Sequence, residues 1–129
     1  MHRSFVPGTR TVLVSPGLRP PNKVFFEDDG ETGWFYALDL SRPDTAQIVD
    51  ALFIYNVSGF AGHPKLLSVR IQWSTDGGRA ALFLDDRGEA VFDFDRKRGY
   101  ARSGSLMPAI SPWPRSDHAW DDHALDGIR

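Results

Sequence analysis

The chain has no cysteine. That excludes disulfides, thiolate metal sites and cysteine nucleophiles, and it fits a reducing compartment. No apolar run approaches the roughly 18–20 residues that a membrane helix needs. The most apolar window, Ile48 to Val57, is broken by Asp50 and Asn56. The N-terminal Met1-His2-Arg3-Ser4-Phe5-Val6-Pro7-Gly8 has one Arg with no apolar run behind it and does not read as a signal peptide. The expected location is the cytoplasm, with no membrane as partner. A strong excess of one charge is missing too: the net charge is -2, so nucleic acid is not expected as a general partner. There is no G-x-S-x-G elbow, no G-x-G-x-x-G, no P-loop and no H-E-x-x-H. No catalytic residue, cofactor or resident metal is therefore expected.

What is present is apolar and aromatic. A chain of 129 residues reads as one domain, 1–129, with less regular flanks at 1–9 and 103–129. Hydrophobic residues make up 41% and aromatics 12%, enough for a real core. Short β-branched and aromatic runs alternate with Pro, Gly and Asp punctuation, which predicts a mainly β fold. Thr11-Val12-Leu13-Val14-Ser15 is the first such run, between Pro7-Gly8 and Pro16-Gly17. Prolines remove donors, so these flanks cannot be central strands. Lys23–Glu27 and Trp34–Leu40 flank the turn-forming 28–33, which predicts a hairpin, with Gly30 and Gly33 as the positive-φ positions. In its second strand Trp34, Tyr36, Leu38 and Leu40 share a face.

Residues 41–57 are ambiguous. Ser41-Arg42-Pro43-Asp44 resembles a helix start, but Ile48 to Val57 is rich in β-branched and aromatic residues. A strand from about Val49 to Val57, after at most one helical turn, is the preferred reading. Strict alternation would put Val49, Ala51, Phe53, Tyr55 and Val57 on one face. Then comes a meander: Leu66–Ser74 with Val69, Ile71 and Trp73 inward, Arg79–Leu84, Glu89–Asp95, and Tyr100–Arg102 after the basic turn Arg96-Lys97-Arg98-Gly99. Ser103 to Pro114 reads as loop, and Ser116 to Ile128 as one short helix stopped by Gly127. The expected architecture is a single antiparallel meander curled into a sandwich or open barrel, with that C-terminal helix over an edge or end.

Three stretches carry a family resemblance: Pro20 to Ala37 (PPNKVFFEDDGETGWFYA), Asp50 to Val57 (DALFIYNV) and Ala90 to Phe94 (AVFDF). Over roughly residues 12–102 the chain resembles a family of small bacterial proteins known only as a domain of unknown function. The resemblance implies a bacterial cytoplasmic protein and brings no activity, cofactor or catalytic residue. The tail after Tyr100 lies outside it.

Several clusters invite a functional reading. Glu27, Asp28, Asp29 and Glu31 form the densest acidic group; carboxylates suit calcium, but the spacing is not that of an EF-hand, and a structural, metal-free turn is expected. Asp93 and Asp95 fall two apart on one strand, a spacing of about 7 Å that also occurs between glycosidase carboxylates, though charged outward faces are common on antiparallel strands. His118 and Asp122 stand four apart, as metal ligands on a helix can, without an identifiable third ligand; a polar helix face is the plainer reading. His63, between Gly62 and Pro64, reads as a loop residue. Arg96, Lys97, Arg98 and Arg102 with Tyr100 have the residue types that bind single strands, but residues 76–95 just upstream hold six acids against two bases.

The aromatics outnumber what one face of a small sheet can hide, and Trp and Tyr anchor protein interfaces. The expected function is a non-catalytic protein-binding domain, for example of the immunity type, with a protein as partner. Its candidate binding residues are Asp28, Asp29, Glu31, Trp34, Tyr36, Tyr55, Asp93 and Asp95. The alternative is a small-molecule or carbohydrate-binding domain, with weak hydrolase activity through Asp93 or Asp95. Oligomeric state is not legible from these patterns.

Overall fold

The structure is a computed structural model that describes residues 1–60, 65–103, 112–113 and 118–128. His63, most of the loop from 104 to 114 and the start of the expected helix at Ser116 lie outside the described residues. Nine strands are described: β1 His2–Phe5, β2 Thr11–Pro16, β3 Asn22–Asp28, β4 Thr32–Asp39, β5 Ile48–Asn56, β6 Leu67–Trp73, β7 Arg79–Leu84, β8 Arg87–Asp93 and β9 Arg98–Ala101. They form two antiparallel sheets, a four-stranded one ordered β2-β3-β4-β5 and a five-stranded one ordered β1-β6-β7-β8-β9. The mainly β antiparallel expectation holds. The single meander does not: β2–β5 and β6–β9 are separate meanders, and β1 joins the second beside β6. The described strands do not close into a barrel. The stretch expected to be less regular at 1–9 holds β1, and the proline-flanked β2 is an edge strand, as its prolines require.

The sheets bury their facing sides in one cluster. Val24, Phe26, Phe35 and Leu52 of the four-stranded sheet meet Val69, Leu82, Ala90 and Phe92 of the five-stranded one. Phe35 and Phe92 touch across the interface with ring centroids 5.0 Å apart. In β6 the alternation reads as expected, with Val69 and Ile71 buried. In β4 the core-facing residues are Phe35 and Ala37, so Trp34, Tyr36 and Leu38 share the outer face.

β5 shows why its sequence was hard to read. It is a strand after one 3-10 turn, Asp44–Ala46. Its pairing with β4 slips twice, between Gly33 and Trp34 and between Ala37 and Leu38. Each slip inserts one unpaired residue on β5, Ile54 and Val49, and both join the core. Alternation therefore fails: Val49, Asp50, Leu52, Ile54 and Tyr55 serve the inner side, while Phe53 pairs with Trp34 outside.

The expected C-terminal helix is not found among the described residues. Residues 118–128 form successive turns, with Ala124 N–H donating to Asp121 O, Asp126 N–H to His123 O and Ile128 N–H to Leu125 O. Asp121 explains part of this: its carboxylate accepts the His123 N–H at 2.8 Å, offering the backbone a bond that competes with a helix. A helix this short is marginal without help. The segment instead lies on the outer face of the five-stranded sheet, where Ala124 and Ile128 pack with Ala81, Phe83, Val91 and Tyr100, and Trp120 and Leu125 lean on the same cluster. Gly88 makes room for it, since a Cβ there would sit 2.4 Å from Leu125.

Candidate functional site

The outer face of the four-stranded sheet has no covering layer among the described residues. Register fixes three rows across it: Val12–Glu27–Trp34–Phe53, Val14–Phe25–Tyr36–Ala51 and Pro16–Lys23–Leu38–Ile48. Antiparallel sheets facing water normally alternate apolar-in with polar-out. Here the outward positions are apolar and aromatic, and only Glu27 and Lys23 carry charge. Phe25 stacks on Tyr36 at 4.5 Å and 25°, Trp34 stacks on Tyr36 at 6.2 Å and 23°, and Trp34 meets Phe53 edge-on at 5.5 Å. Val12 and Val14 stay 48% and 39% exposed at the open edge. Partial burial, with Glu27 and Asp29 nearby, holds the Tyr36 hydroxyl above the usual phenol range.

The acidic turn beside this face divides its labour. Asp28 is buried, and both its oxygens are occupied: Oδ2 accepts the Gly8 N–H at 2.9 Å and the Tyr55 hydroxyl at 2.6 Å, and Oδ1 accepts the Gly30 N–H at 2.8 Å. It ties the loop after β1 to the hairpin and to β5. Burial and the bond to Asp28 push the Tyr55 hydroxyl far above its ordinary range. Asp29 is exposed and caps the turn, its Oδ1 accepting the N–H groups of Thr32 and Glu31, which lower its carboxyl below the usual range. Trp34 Nε1 donates to Thr32 Oγ1 at 3.0 Å, which anchors the indole to the turn. Glu31 is exposed at the tip. Of the two glycines expected at positive φ, Gly30 has it, at 100°. Gly33 does not; its Cβ would lie 2.5 Å from the Tyr55 ring, so it is small to admit that ring.

Asp93 and Asp95 do not converge. Asp93 is 8% exposed and accepts the Arg96 N–H at 3.0 Å. Asp95 lies in the turn after β8 and pairs with Arg19 at 2.9 Å, its side chain 63% exposed. A cleft of about 390 Å³ beside Asp93 is lined also by Arg79, Tyr100, His123 and Asp126. Its polar groups hold the C-terminal segment: Arg79 donates to the carbonyls of Ala124, at 2.9 Å, and Asp126. His123 bonds Asp126 at 3.1 Å, which raises the imidazole pKa.

His118 is not on a polar helix face. It is 2% exposed at φ 55°, and its Nε2 lies 3.0 and 3.1 Å from the two oxygens of buried Asp50. Gly99 admits the pair, since a Cβ there would be 3.0 Å from Asp50 Oδ2. The expected basic cluster is dispersed: Arg98 stacks over Tyr100 at 4.9 Å, Arg102 over Trp120 at 4.1 Å, and Arg96 approaches Asp93 at 3.8 Å.

Of the eight residues singled out from sequence, then, Trp34 and Tyr36 belong to the outer face and Asp29 and Glu31 to its rim. Asp28, buried, and Tyr55, half-buried, are a structural pair, and Asp93 and Asp95 belong elsewhere. Phe25, Phe53, Val12 and Val14 were missed. Their signal was the i,i+2 spacing of Val12 with Val14 and of Phe25 with Lys23 and Glu27.

These features define a two-sheet antiparallel β sandwich that covers one outer face with its own C-terminal segment and, among the described residues, leaves the other open and aromatic. The chain belongs to the DUF2251 family, described as an uncharacterized protein conserved in bacteria, whose model matches residues 5–129. That match takes in the C-terminal segment, beyond the resemblance seen over 12–102. The chain is also similar to an uncharacterized protein of Haemophilus influenzae, 42% identical over 95 residues. Those residues are 73% of this chain and 58% of the relative, so the chain spans less than two thirds of the relative's length. No solved structure matches the chain. No helix among the described residues is long and apolar enough to cross a membrane.

Proposed function

We propose that this is a non-catalytic protein-binding domain of the bacterial cytoplasm, and that it binds through the open face of the four-stranded sheet. One observation carries the reading: three adjacent rows of a solvent-facing sheet are apolar and aromatic where polar side chains are the rule. Tyr and Trp held by neighbours make rigid anchors with little rotamer entropy to lose on binding. Neutralisation of a toxin, as immunity proteins perform it, is one concrete version, consistent with a net charge of -2 and no catalytic motif in this sequence.

The carbohydrate alternative needs aromatic ring faces turned outward for a sugar to lie on. The stacking of Phe25, Tyr36 and Trp34 turns those ring faces toward each other. Hydrolysis by Asp93 and Asp95 needs two carboxylates aimed at one bond, and these two engage different partners. The test is oxidative footprinting of Phe25, Trp34 and Tyr36 in extract of the native host, where protection from a protein is expected.

A further inference from the structure

Resting on that reading of the open face, we infer that it pairs with a second copy of this chain. The carrier of the inference is β3. Its outward residues are Lys23, Phe25 and Glu27, a cation, an aromatic ring and an anion in line, with about 7 Å between successive members. Neither Lys23 nor Glu27 makes an ion pair among the described residues, although both are half-buried.

Consider a two-fold axis parallel to the sheet and running across its strands, along the row Val14–Phe25–Tyr36–Ala51. It keeps lateral position and reverses strand direction. β3 of one copy then lies antiparallel over β3 of the other. Lys23 faces Glu27 of the second copy, Glu27 faces its Lys23, and the Phe25–Tyr36 stacks meet at the centre. Face-to-face sheets pack about 10 Å apart, within reach of a Lys–Glu pair. A two-fold interface must be self-complementary in this way. An axis along β3 itself would instead oppose like charges, and one between β3 and β4 would set Lys23 over Leu38 and Glu27 over Trp34 and leave both charges unpaired.

The area sets the strength. Four strands about 4.8 Å apart and about 20 Å long give a face of about 400 Å² per copy. That is at the low end for specific association, so a reversible dimer with a Kd of about 10–100 µM is expected.

Sedimentation velocity of the full chain from about 5 to about 500 µM at low salt tests this. Wild type should move from monomer to dimer across that range. Lys23→Glu alone, or Glu27→Lys alone, opposes like charges twice per dimer and should weaken association about tenfold or more. The double exchange, Lys23→Glu with Glu27→Lys, restores both pairs and should return the Kd to within about threefold of wild type. Both positions are at the surface, and circular dichroism checks that each variant is folded. Wild type monomeric throughout, single exchanges without effect, or no recovery in the double exchange would each overturn the inference. Protection of the same face in host extract, at a concentration where the chain is monomeric, would then assign it to a different protein and leave the binding reading standing.

Discussion

The two outer faces of this sandwich carry similar residues and meet opposite fates. On the five-stranded sheet, Phe83, Val91 and Tyr100 lie under the chain's own C-terminal segment. On the four-stranded sheet, Phe25, Trp34, Tyr36 and Phe53 pack on one another, with no covering layer among the described residues. The covered face also shows accommodation in detail: Gly88 clears space for Leu125, and Arg79 holds two carbonyls of the segment. The first face is therefore a third layer of the fold. The second has no such layer among the described residues.

The largest expected effect comes from the clamp of the covering segment. His118→Ala strands the Asp50 carboxylate in the interior, where loss of one partner of a buried pair costs about 3–5 kcal/mol. Urea unfolding should register that loss. Stability within about 1 kcal/mol of wild type would show that the segment is not held there. The next effect compares the faces directly. Phe83→Ala, at 7% exposure, should cost about 3 kcal/mol or more. Phe25→Ala removes a half-buried ring and one stack and should cost about 1 kcal/mol. Equal costs for the two would remove the distinction between the faces.

A pH-dependent effect lies beneath the open face. Tyr55 keeps its proton in the folded chain well past the ordinary phenol value of 10.0, because it is half-buried and donates to Asp28. The unfolded chain loses that proton near the ordinary value. The contribution is therefore fully present below about pH 10 and is lost as pH rises beyond it, toward the folded value. Tyr55→Phe should cost about 1–2 kcal/mol at pH 7, and its deficit against wild type should narrow by pH 11. Unfolding at the two pH values measures this; a constant deficit would contradict it.

Much of the fold was legible where local chemistry and tertiary role agree. The 28–33 hairpin follows from Asp and Gly flanked by aromatics, and Val69 with Ile71 announces a half-buried β6. Three features were not legible, for physical reasons. The two bulges of β5 break the period of two without leaving a Gly or Pro to mark them. β4 is aromatic on both faces, so alternation there cannot say which face is inside; only packing of Phe35 on Phe92 decides. The tail has the composition of a short helix, and its actual course depends on long-range partners, Asp50 for His118 and the Gly88 gap for Leu125. For the candidate site, Trp34 and Tyr36 were visible as surplus aromatics. Their company with Phe25, Phe53, Val12 and Val14 required the cross-strand register.

The central claim is that one outer face is finished and the other is left for a protein. Oxidative footprinting by mass spectrometry compares them in a single sample, with the chain kept below about 1 µM in native-host extract so that it does not pair with itself. Loss of reactivity at Phe25, Trp34 and Tyr36 relative to buffer, with Trp120 and Tyr100 unchanged, is the expected result, and protease treatment of the extract should abolish the protection. Unchanged reactivity across Phe25, Trp34 and Tyr36, with protection appearing instead around His123 and Arg96, would contradict the claim and move the binding site to the cleft beside Asp93.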